Sequence, residues 1–464
     1  MKVLLVYPEF PDTYWSFRHA LSFEGKKSAF PPLGLMTISA MMPDTWERRM
    51  VDLNLRPLKQ AEIDWADMVF VSAMLVQKNS LLKIVDWAKA RGKRVAVGGP
   101  YITTSVDGVP NADHLFIGEA ETTLPEFVND LEAGKAKHVY QAPERPSLAL
   151  TPVPDFHLAD LKRYSSMSIQ YSRGCPFQCE FCDIIEIYGR KPRTKSNEQI
   201  IAELDALLAA GWHGMVFIVD DNFIGNKPNV KKMLPELARW SEAHGCPFSF
   251  ITEASVNLAD DEELLAGMRS AGFRRVFLGI ETPVEASLQE AQKYQNTRHS
   301  LIDSVRKIQS FGMEVMAGFI VGFDNDPEDI FERQIKFIRE SAIPLAMVGL
   351  LCALPDTQLW RRLKGEGRLL KESSGNNTDC SINFIPKMDT SKLIEGYRTI
   401  LRNIYSPAEY YQRALDSLKM VVQDKVEPLR SGFIHNLISL IRVFLRSEFW
   451  IVDAANSGAL CVRW

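Results

Sequence analysis

The fold of this chain is decided by the stretch Tyr171-Ser172-Arg173-Gly174-Cys175-Pro176-Phe177-Gln178-Cys179-Glu180-Phe181-Cys182-Asp183. Three of the seven cysteines fall within eight residues of this stretch, with the spacing C-x3-C-x2-C. Gly174 and Pro176 interrupt regular structure, so the cysteines are predicted to lie on a loop. A loop of this kind can present several thiolates to one centre.

The number of cysteines in the loop limits what they can bind. A tetrahedral zinc site needs four ligands, and no fourth Cys or His lies close by in the sequence. A [4Fe–4S] cluster held by three thiolates would leave one iron open for a substrate or cofactor. Three incidental buried cysteines are the remaining alternative.

Composition and charge are those of an ordinary globular protein. The chain has 464 residues, 46% hydrophobic and 24% charged, which suggests two to four domains. A net charge of −4 does not indicate nucleic acid as a partner. We expect no signal peptide and no membrane span, because the first apolar run is short and no stretch of 18 uncharged apolar residues occurs. The number of cysteines is odd and three of them are clustered, which fits a metal site in the reducing cytoplasm better than a framework of disulfides.

Strand-like and helix-like segments alternate in two parts of the chain, which predicts an α/β protein. We predict a Rossmann-like doubly wound domain over 1–140, a Pro-rich linker over 141–165, a partial (β/α)6 barrel over 166–360 and a mainly helical region over 361–464. The first domain's predicted strands are Lys2–Tyr7, Glu47–Asp52, Met68–Ser72, Arg94–Val97 and His114–Ile117. The barrel's are Ser168–Ser172, Gly214–Val219, Phe248–Glu253, Arg275–Ile280, Glu314–Val321 and Ala346–Ala353.

The last region is predicted to hold helices at Lys392–Tyr405 and Pro407–Val422. A further stretch, Phe433–Arg446, mixes apolar residues with arginine. It fits either a helix packed on the barrel or an amphipathic helix on a membrane surface, which would make the protein peripheral to the membrane.

The cysteine spacing, with Phe181 before the last Cys, resembles the signature of the radical S-adenosylmethionine (SAM) family. The resemblance implies that Cys175, Cys179 and Cys182 ligate a [4Fe–4S] cluster. In that family the open iron binds the amino and carboxylate groups of SAM, and the reduced cluster cleaves SAM to a 5′-deoxyadenosyl radical.

The ends of the predicted barrel strands resemble the SAM-contacting positions of the same family, since barrel chemistry lies at the carboxyl ends of strands. Helix capping is the alternative for Asp221 and Asn222, and a simple buried strand is the alternative for Gly318 and Gly322. A basic run, Tyr188–Arg193, is either solvated or meets an anionic cofactor group. The SAM-site residues implied by the resemblance are Asp221, Asn222, Glu253, Glu281, Gly318 and Gly322.

The strand ends of the first domain resemble a cobalamin-binding Rossmann domain. The usual pattern is D-x-H-x-x-G, then S-x-L, then G-G, and this chain departs from it with Asn54 in place of the His and Pro57 in place of the Gly. No lower axial ligand of cobalt is therefore assigned, and the paired glycines also fit a plain tight turn. The segment Ile117–Glu121 resembles the family too, with a helix entry as the alternative. The cobalamin-site residues implied are Asp52, Asn54, Ser72, Gly98 and Gly99.

The order of these parts resembles the cobalamin-dependent radical SAM methylases, in the branch that includes the hopanoid C-2 methylase. The resemblance implies methylation of an unactivated carbon of a small molecule, with a polycyclic lipid as the first candidate. It also implies a flavodoxin- or ferredoxin-type reducing partner. Two alternatives stay open: an oxidative enzyme that cyclises a tetrapyrrole without methyl transfer, and a non-catalytic cobalamin-binding sensor.

Overall fold

The computed structural model describes residues 1–13 and 16–421, and its first half is built on a six-stranded parallel sheet. The strand order is β2-β1-β3-β4-β5-β6. The strands are β1 Lys2–Tyr7, β2 Glu47–Asp52, β3 Met68–Ser72, β4 Arg94–Gly98, β5 His114–Ile117 and β6 Val139–Gln141. The helices are α1 Arg18–Glu24, α2 Leu33–Ala40, α3 Gln60–Trp65, α4 Lys78–Ala90, α5 Pro100–Thr104 and α6 Ala120–Glu132.

Both faces of this sheet are buried, as is usual for parallel sheets. Leu4 and Val6 of β1 pack in one apolar cluster, and Val3 and Leu5 pack in another on the opposite face. The continuous apolar run that starts the chain thus forms one strand of the sheet, and this sheet is the central layer of a three-layer domain. Five predicted strands are confirmed, β4 with one more residue, and the short edge strand β6 was not predicted.

The second half holds another six parallel strands, in the order β14-β13-β12-β11-β10-β7. The two terminal strands of this order do not pair in the described part of the chain, so the barrel is open. The six barrel strands are β7 Met167–Ile169, β10 Gly214–Ile218, β11 Phe248–Ala254, β12 Phe273–Glu281, β13 Glu314–Val321 and β14 Ala346–Leu350. A separate antiparallel ribbon is formed by β8 Ser172–Arg173 and β9 Arg193–Thr194.

The helices of the second half cover the outside of the barrel and continue past its last strand. They are α7 Ile184–Ile187, α8 Asn197–Ala209, α9 Lys227–Ala243, α10 Glu262–Ala271, α11 Glu285–Glu290, α12 Leu301–Ser310, α13 Ile330–Glu340, α14 Gln358–Gly365, α15 Thr390–Ile404 and α16 Pro407–Met420. The predicted helices near the end of the chain are confirmed to within two residues as α15 and α16. The amphipathic stretch at 433–446 lies outside the described residues. Among the helices described, none has the length and apolar character to cross a membrane.

Two predicted strands are wrong in extent. The predicted strand Ser168–Ser172 splits between β7 and β8, because Asp220 accepts hydrogen bonds from the Tyr171 N–H and the Ser172 hydroxyl and turns the chain out of the barrel sheet. The strand predicted to reach Ala353 ends at Leu350, since the Asn383 side chain bonds the Ala353 N–H and C=O instead.

Candidate functional site

The cysteine loop is an excursion whose two ends are joined by the β8–β9 ribbon. Gly174 opens it with φ +93°, a left-handed conformation that favours glycine. A side chain there would also collide with the returning chain, since a Cβ would lie 2.8 Å from the Gly189 carbonyl oxygen. The Cys175 N–H donates to that same carbonyl. The loop is therefore closed by backbone contacts that only glycine permits.

The three thiols of the loop are free and half-buried. Burial raises the pKa values of Cys175 and Cys182. Two amides point at sulfur: Asn222 Nδ2 lies 3.8 Å from Cys175 Sγ, and Gln295 Nε2 lies 3.6 Å from Cys179 Sγ. Such donors stabilise negative charge on cluster-bound sulfur. In this arrangement no three His, Cys, Asp or Glu side chains of the described residues form a ready site for a single metal ion.

Two carboxylates beside the loop form no salt bridge within the described part of the chain. Burial raises the pKa of Asp221 to about 7 although Arg173 acts to lower it, and burial with help from Asp221 raises the pKa of Glu253 also to about 7. Asp221 accepts one hydrogen bond, from the Gly174 N–H at 2.9 Å. Half-buried carboxylates of this kind suit an ammonium group of a ligand.

The neighbours of Asp221 have structural partners. Asp220 is engaged by the turn that ends β7, and Asn222 bonds Ser255 as well as the Cys175 sulfur. Of the three consecutive polar residues after β10, Asp221 alone lacks a side-chain partner among the described residues.

A buried lysine joins the site at the end of β12. Glu281 takes a left-handed backbone conformation with φ +65° and forms an ion pair with Lys293. The Lys293 ammonium lies 5.9 Å from the centre of the ring of Phe181, a residue that stands between Cys179 and Cys182 in the sequence. Sequence reasoning missed Lys293 and Gln295, because no motif surrounds them and only the fold brings them to the cysteines.

The two predicted glycines, Gly318 within β13 and Gly322 just after it, have structural neighbours. A Cβ on Gly318 would lie 3.3 Å from the ring of Phe277. Gly322 has φ +112°, and a Cβ there would lie 3.2 Å from Leu393 of α15. Strand packing and a tight turn therefore account for both glycines without a ligand.

The predicted cobalamin-site residues form two separate groups. Ser72 and Gly99 meet at the ends of β3 and β4, where a Cβ on Gly99 would lie 2.7 Å from Ser72 Oγ, and Gly98 adjoins them. Asp52 ends the edge strand β2 and Asn54 follows it, and β1 separates β2 from β3.

The contacts of Asp52 and Asn54 are internal. Tyr164 of the linker donates to Asp52 at 2.9 Å. The Asn54 amide donates to Asp52 and to the Pro8 carbonyl, and its oxygen accepts from the Phe10 N–H. The contacts that the structure shows for Asn54 are therefore all to groups of this chain.

Two arginines of the basic run Tyr188–Arg193 contact groups of this chain. Arg193 pairs with Glu119 of the first domain, and Arg190 donates to the Pro176 carbonyl at 3.4 Å. Arg193 therefore meets a carboxylate of the chain.

Three family models match the chain. They are the B12 binding domain over residues 27–128, the radical SAM superfamily over residues 169–338 and a domain of unknown function, DUF4070, over residues 357–452.

Two curated relatives match most of the chain. An uncharacterized methyltransferase from Synechocystis sp. (strain PCC 6803) is 50% identical over 416 residues, covering 89% of this chain and 78% of the relative. The hopanoid C-2 methylase of Rhodopseudomonas palustris (strain TIE-1) is 37% identical over 417 residues, with the same shares of each chain.

Solved structures share the fold at low identity. The radical SAM methyltransferase TsrM from Kitasatospora setae, solved with cobalamin and a [4Fe-4S] cluster, superposes with a TM-score of 0.65 at 14% identity, covering 99% of this chain and 96% of that one. The cobalamin-dependent SAM radical enzyme OxsB gives 0.66 at 15% identity, covering 98% and 75%.

Proposed function

The chain belongs to the cobalamin-dependent radical SAM methylases, and we propose that it methylates an unactivated carbon of a hopanoid-like polycyclic lipid. The enzyme class and its cofactors, a [4Fe–4S] cluster, SAM and cobalamin, follow from the family. The substrate and the residues of the site are the proposal.

One observation carries the assignment of the SAM site. Three free thiols lie on one loop, and two half-buried carboxylates that form no salt bridge among the described residues, Asp221 and Glu253, lie at the ends of adjacent barrel strands. The thiols of Cys175, Cys179 and Cys182 would hold the cluster. The two carboxylates would accept hydrogen bonds from the SAM ammonium, which supplies the missing positive charge.

The remaining residues orient the groups that react. When bound, the cluster supplies the electron that cleaves SAM, and cobalamin supplies the methyl group. Asn222 and Gln295 would stabilise charge on the cluster sulfurs, and the Glu281–Lys293 pair would fix the end of β12 beside SAM. The chain's contribution is thus position and electrostatics rather than acid–base chemistry.

The cobalamin site is proposed at the carboxyl ends of β3 and β4. Ser72, Gly98 and Gly99 meet there, in a sheet whose strand order changes direction at β1 and β3, where α/β sheets bind ligands. Asp52 and Asn54 would shape this edge from the β2 side through the linker and the loop after β1.

The lipid substrate is supported by the 37% identical relative that is named a hopanoid C-2 methylase. We further propose a flavodoxin- or ferredoxin-type protein as the electron donor. The region beyond residue 421 is the part of the chain proposed to contact a membrane surface.

The test is an anaerobic preparation reconstituted with iron, sulfide and hydroxocobalamin. It is incubated with SAM, dithionite and a pentacyclic hopanoid in detergent, and the products are followed by mass spectrometry. We expect a hopanoid heavier by one CH2, the net change when a methyl group replaces a hydrogen, together with S-adenosylhomocysteine and 5′-deoxyadenosine. SAM with a deuterated methyl group would identify the origin of the added carbon.

Two variants separate the cluster from other cysteine chemistry. Cys175→Ala should lose cluster iron and both SAM-derived products, whereas Cys246→Ala, an exposed cysteine outside the loop, should retain them. An unchanged hopanoid, together with a methylated product in a parallel reaction that contains a tetrapyrrole instead, would overturn the substrate class and leave methylation intact. A cyclised or oxidised product without methyl transfer would overturn the proposed reaction.

A further inference from the structure

Two arginines form the base of the cysteine loop. Arg173 ends β8 immediately before the loop, Arg193 begins β9 immediately after it, and the two residues pair directly across the ribbon. Their side chains are only 11% and 16% exposed. Like charges that face each other across paired strands repel, so this ribbon needs counter-charge.

The counter-charge comes from the other sheet. Glu119 lies between β5 and α6, and Glu121 lies in the first turn of α6; both side chains are 3% exposed. Arg193 donates to both carboxylate oxygens of Glu119, at 2.6 and 3.0 Å. Arg173 Nη1 lies 2.7 Å from each glutamate. We call these four residues the bridging cluster, and its two positive and two negative charges balance.

The linker completes this cluster. The Thr151 hydroxyl donates to Glu121 Oε1 at 2.9 Å, and Arg193 Nη1 donates to the Pro146 carbonyl at 2.6 Å. Each charge is thus both paired and hydrogen-bonded. Removing one partner from such a buried set leaves an uncompensated charge, which is strongly unfavourable.

We propose that the bridging cluster positions the cysteine loop against the carboxyl edge of the first sheet, and so sets the distance between SAM on the loop and cobalamin on that sheet. This rests on the use of both cofactors by the proposed methylase, not on its substrate. After cobalamin has given its methyl group to the substrate, a new methyl group from SAM would have to cross that distance: the S–CH3 bond of SAM would break, the methyl group would move to reduced cobalt, which would supply the electron pair, and S-adenosylhomocysteine would leave. Transfer between two separately held groups depends on their fixed proximity.

The first test uses hydrogen exchange on the protein without added cofactors. Glu119→Gln should accelerate amide exchange in 174–192 and in 118–121 together, by about tenfold or more, since both sides lose the same contact. The matched control is Glu203→Gln, which removes a fully buried carboxylate paired with Lys195 inside the barrel half. The control should leave exchange in both interface segments unchanged.

The second test measures two products of the reconstituted enzyme with SAM and dithionite, without lipid. Glu119→Gln should lower the ratio of S-adenosylhomocysteine to 5′-deoxyadenosine by about tenfold or more, because only methyl transfer to cobalt spans the two sheets. Glu203→Gln should keep the wild-type ratio even where it lowers thermal stability. Arg193→Lys, which keeps the charge, should restore most of the ratio lost in Arg193→Gln.

Faster exchange together with a lower ratio supports the positioning role. Faster exchange with an unchanged ratio overturns that role and leaves only a structural contact. Unchanged exchange also overturns it. Wild-type enzyme that makes 5′-deoxyadenosine but never S-adenosylhomocysteine would instead contradict the proposed methylase function, independently of the variants.

Discussion

At the scale of single residues, the site combines groups that are unfavourable without a ligand. Asp221 and Glu253 are half-buried carboxylates whose pKa values rise to about 7 because burial disfavours their charged forms, and neither forms a salt bridge in the described structure. A protein keeps such groups at a cost to its stability, usually at functional sites. The ammonium of SAM would remove that cost on binding.

Glu253→Gln should make the protein without cofactors more stable at pH 8. The Glu253 carboxyl holds its proton more tightly in the folded than in the unfolded protein. The free energy of unfolding of the wild type should therefore fall as the pH rises from about 4.5, the ordinary pKa of this carboxyl, to about 7, its pKa in the folded protein. Above pH 7 this contribution should no longer change. The variant lacks this fall, so its advantage should grow over that range to about 1–3 kcal/mol. Urea denaturation of both proteins at several pH values would measure this difference in the free energy of unfolding.

SAM binding should be weakened in Glu253→Gln, because the variant lacks the carboxylate that would face the SAM ammonium; tight SAM binding would contradict the assigned role.

Gln295→Leu should lower the reduction potential of the cluster. The amide donates to Cys179 Sγ, and its loss removes stabilisation of the more negative reduced state. A redox titration followed by electron paramagnetic resonance would measure the shift. Gln292→Leu, a nearby amide bonded to Gln358, is the matched control and should leave the potential unchanged.

At the scale of elements, the cysteine loop depends on how its two ends meet. The β8–β9 ribbon is only two residue pairs long, and Gly174 lets the outgoing strand touch the returning one at Gly189. Such a short ribbon is weak alone. Its stability therefore comes from contacts outside it, with Asp221, the linker and the bridging cluster.

Gly174→Ala should prevent correct closure of the loop. The new methyl would overlap the Gly189 carbonyl in an already left-handed backbone, which we expect to cost about 2–4 kcal/mol and most of the cluster iron. Gly211→Ala is the control, because Gly211 has φ +86° with nothing within 4 Å of a new Cβ. It should cost about 1 kcal/mol and retain iron. Equal iron loss in both variants would contradict the steric argument.

At the scale of the whole molecule, the linker is held in place by hydrogen bonds to the first domain. Residues 163–166 hydrogen-bond with residues 27–29 of the first half, and Tyr164 is fully buried against Asp52. The bridging cluster forms a second connection between the halves. We propose the division 1–140, 141–165, 166–360 and 361–464 as the domain organisation, with the linker packed on both of its neighbours.

Tyr164→Phe should destabilise the protein by about 1–3 kcal/mol, because it leaves the buried Asp52 carboxylate without one of its donors. Urea denaturation would measure the loss. Tyr294→Phe, an exposed tyrosine, is the control and should be neutral. Equal stability of Tyr164→Phe and wild type would show that the Asp52 contact contributes nothing to joining the halves.

Features that depend on local pattern were predictable from the sequence alone. Apolar runs such as Val3–Val6 predicted the strands, Gly174 and Pro176 predicted the loop, and the resemblance of the cysteine spacing to the radical SAM signature implied its cofactor. Features that depend on distant partners required the tertiary structure. Lys293 and Gln295 reach the cysteines through the fold, and Arg193 finds Glu119, which lies 74 residues earlier in the chain. A buried charge is stabilised by whatever group lies opposite it in space, and no local pattern encodes that group.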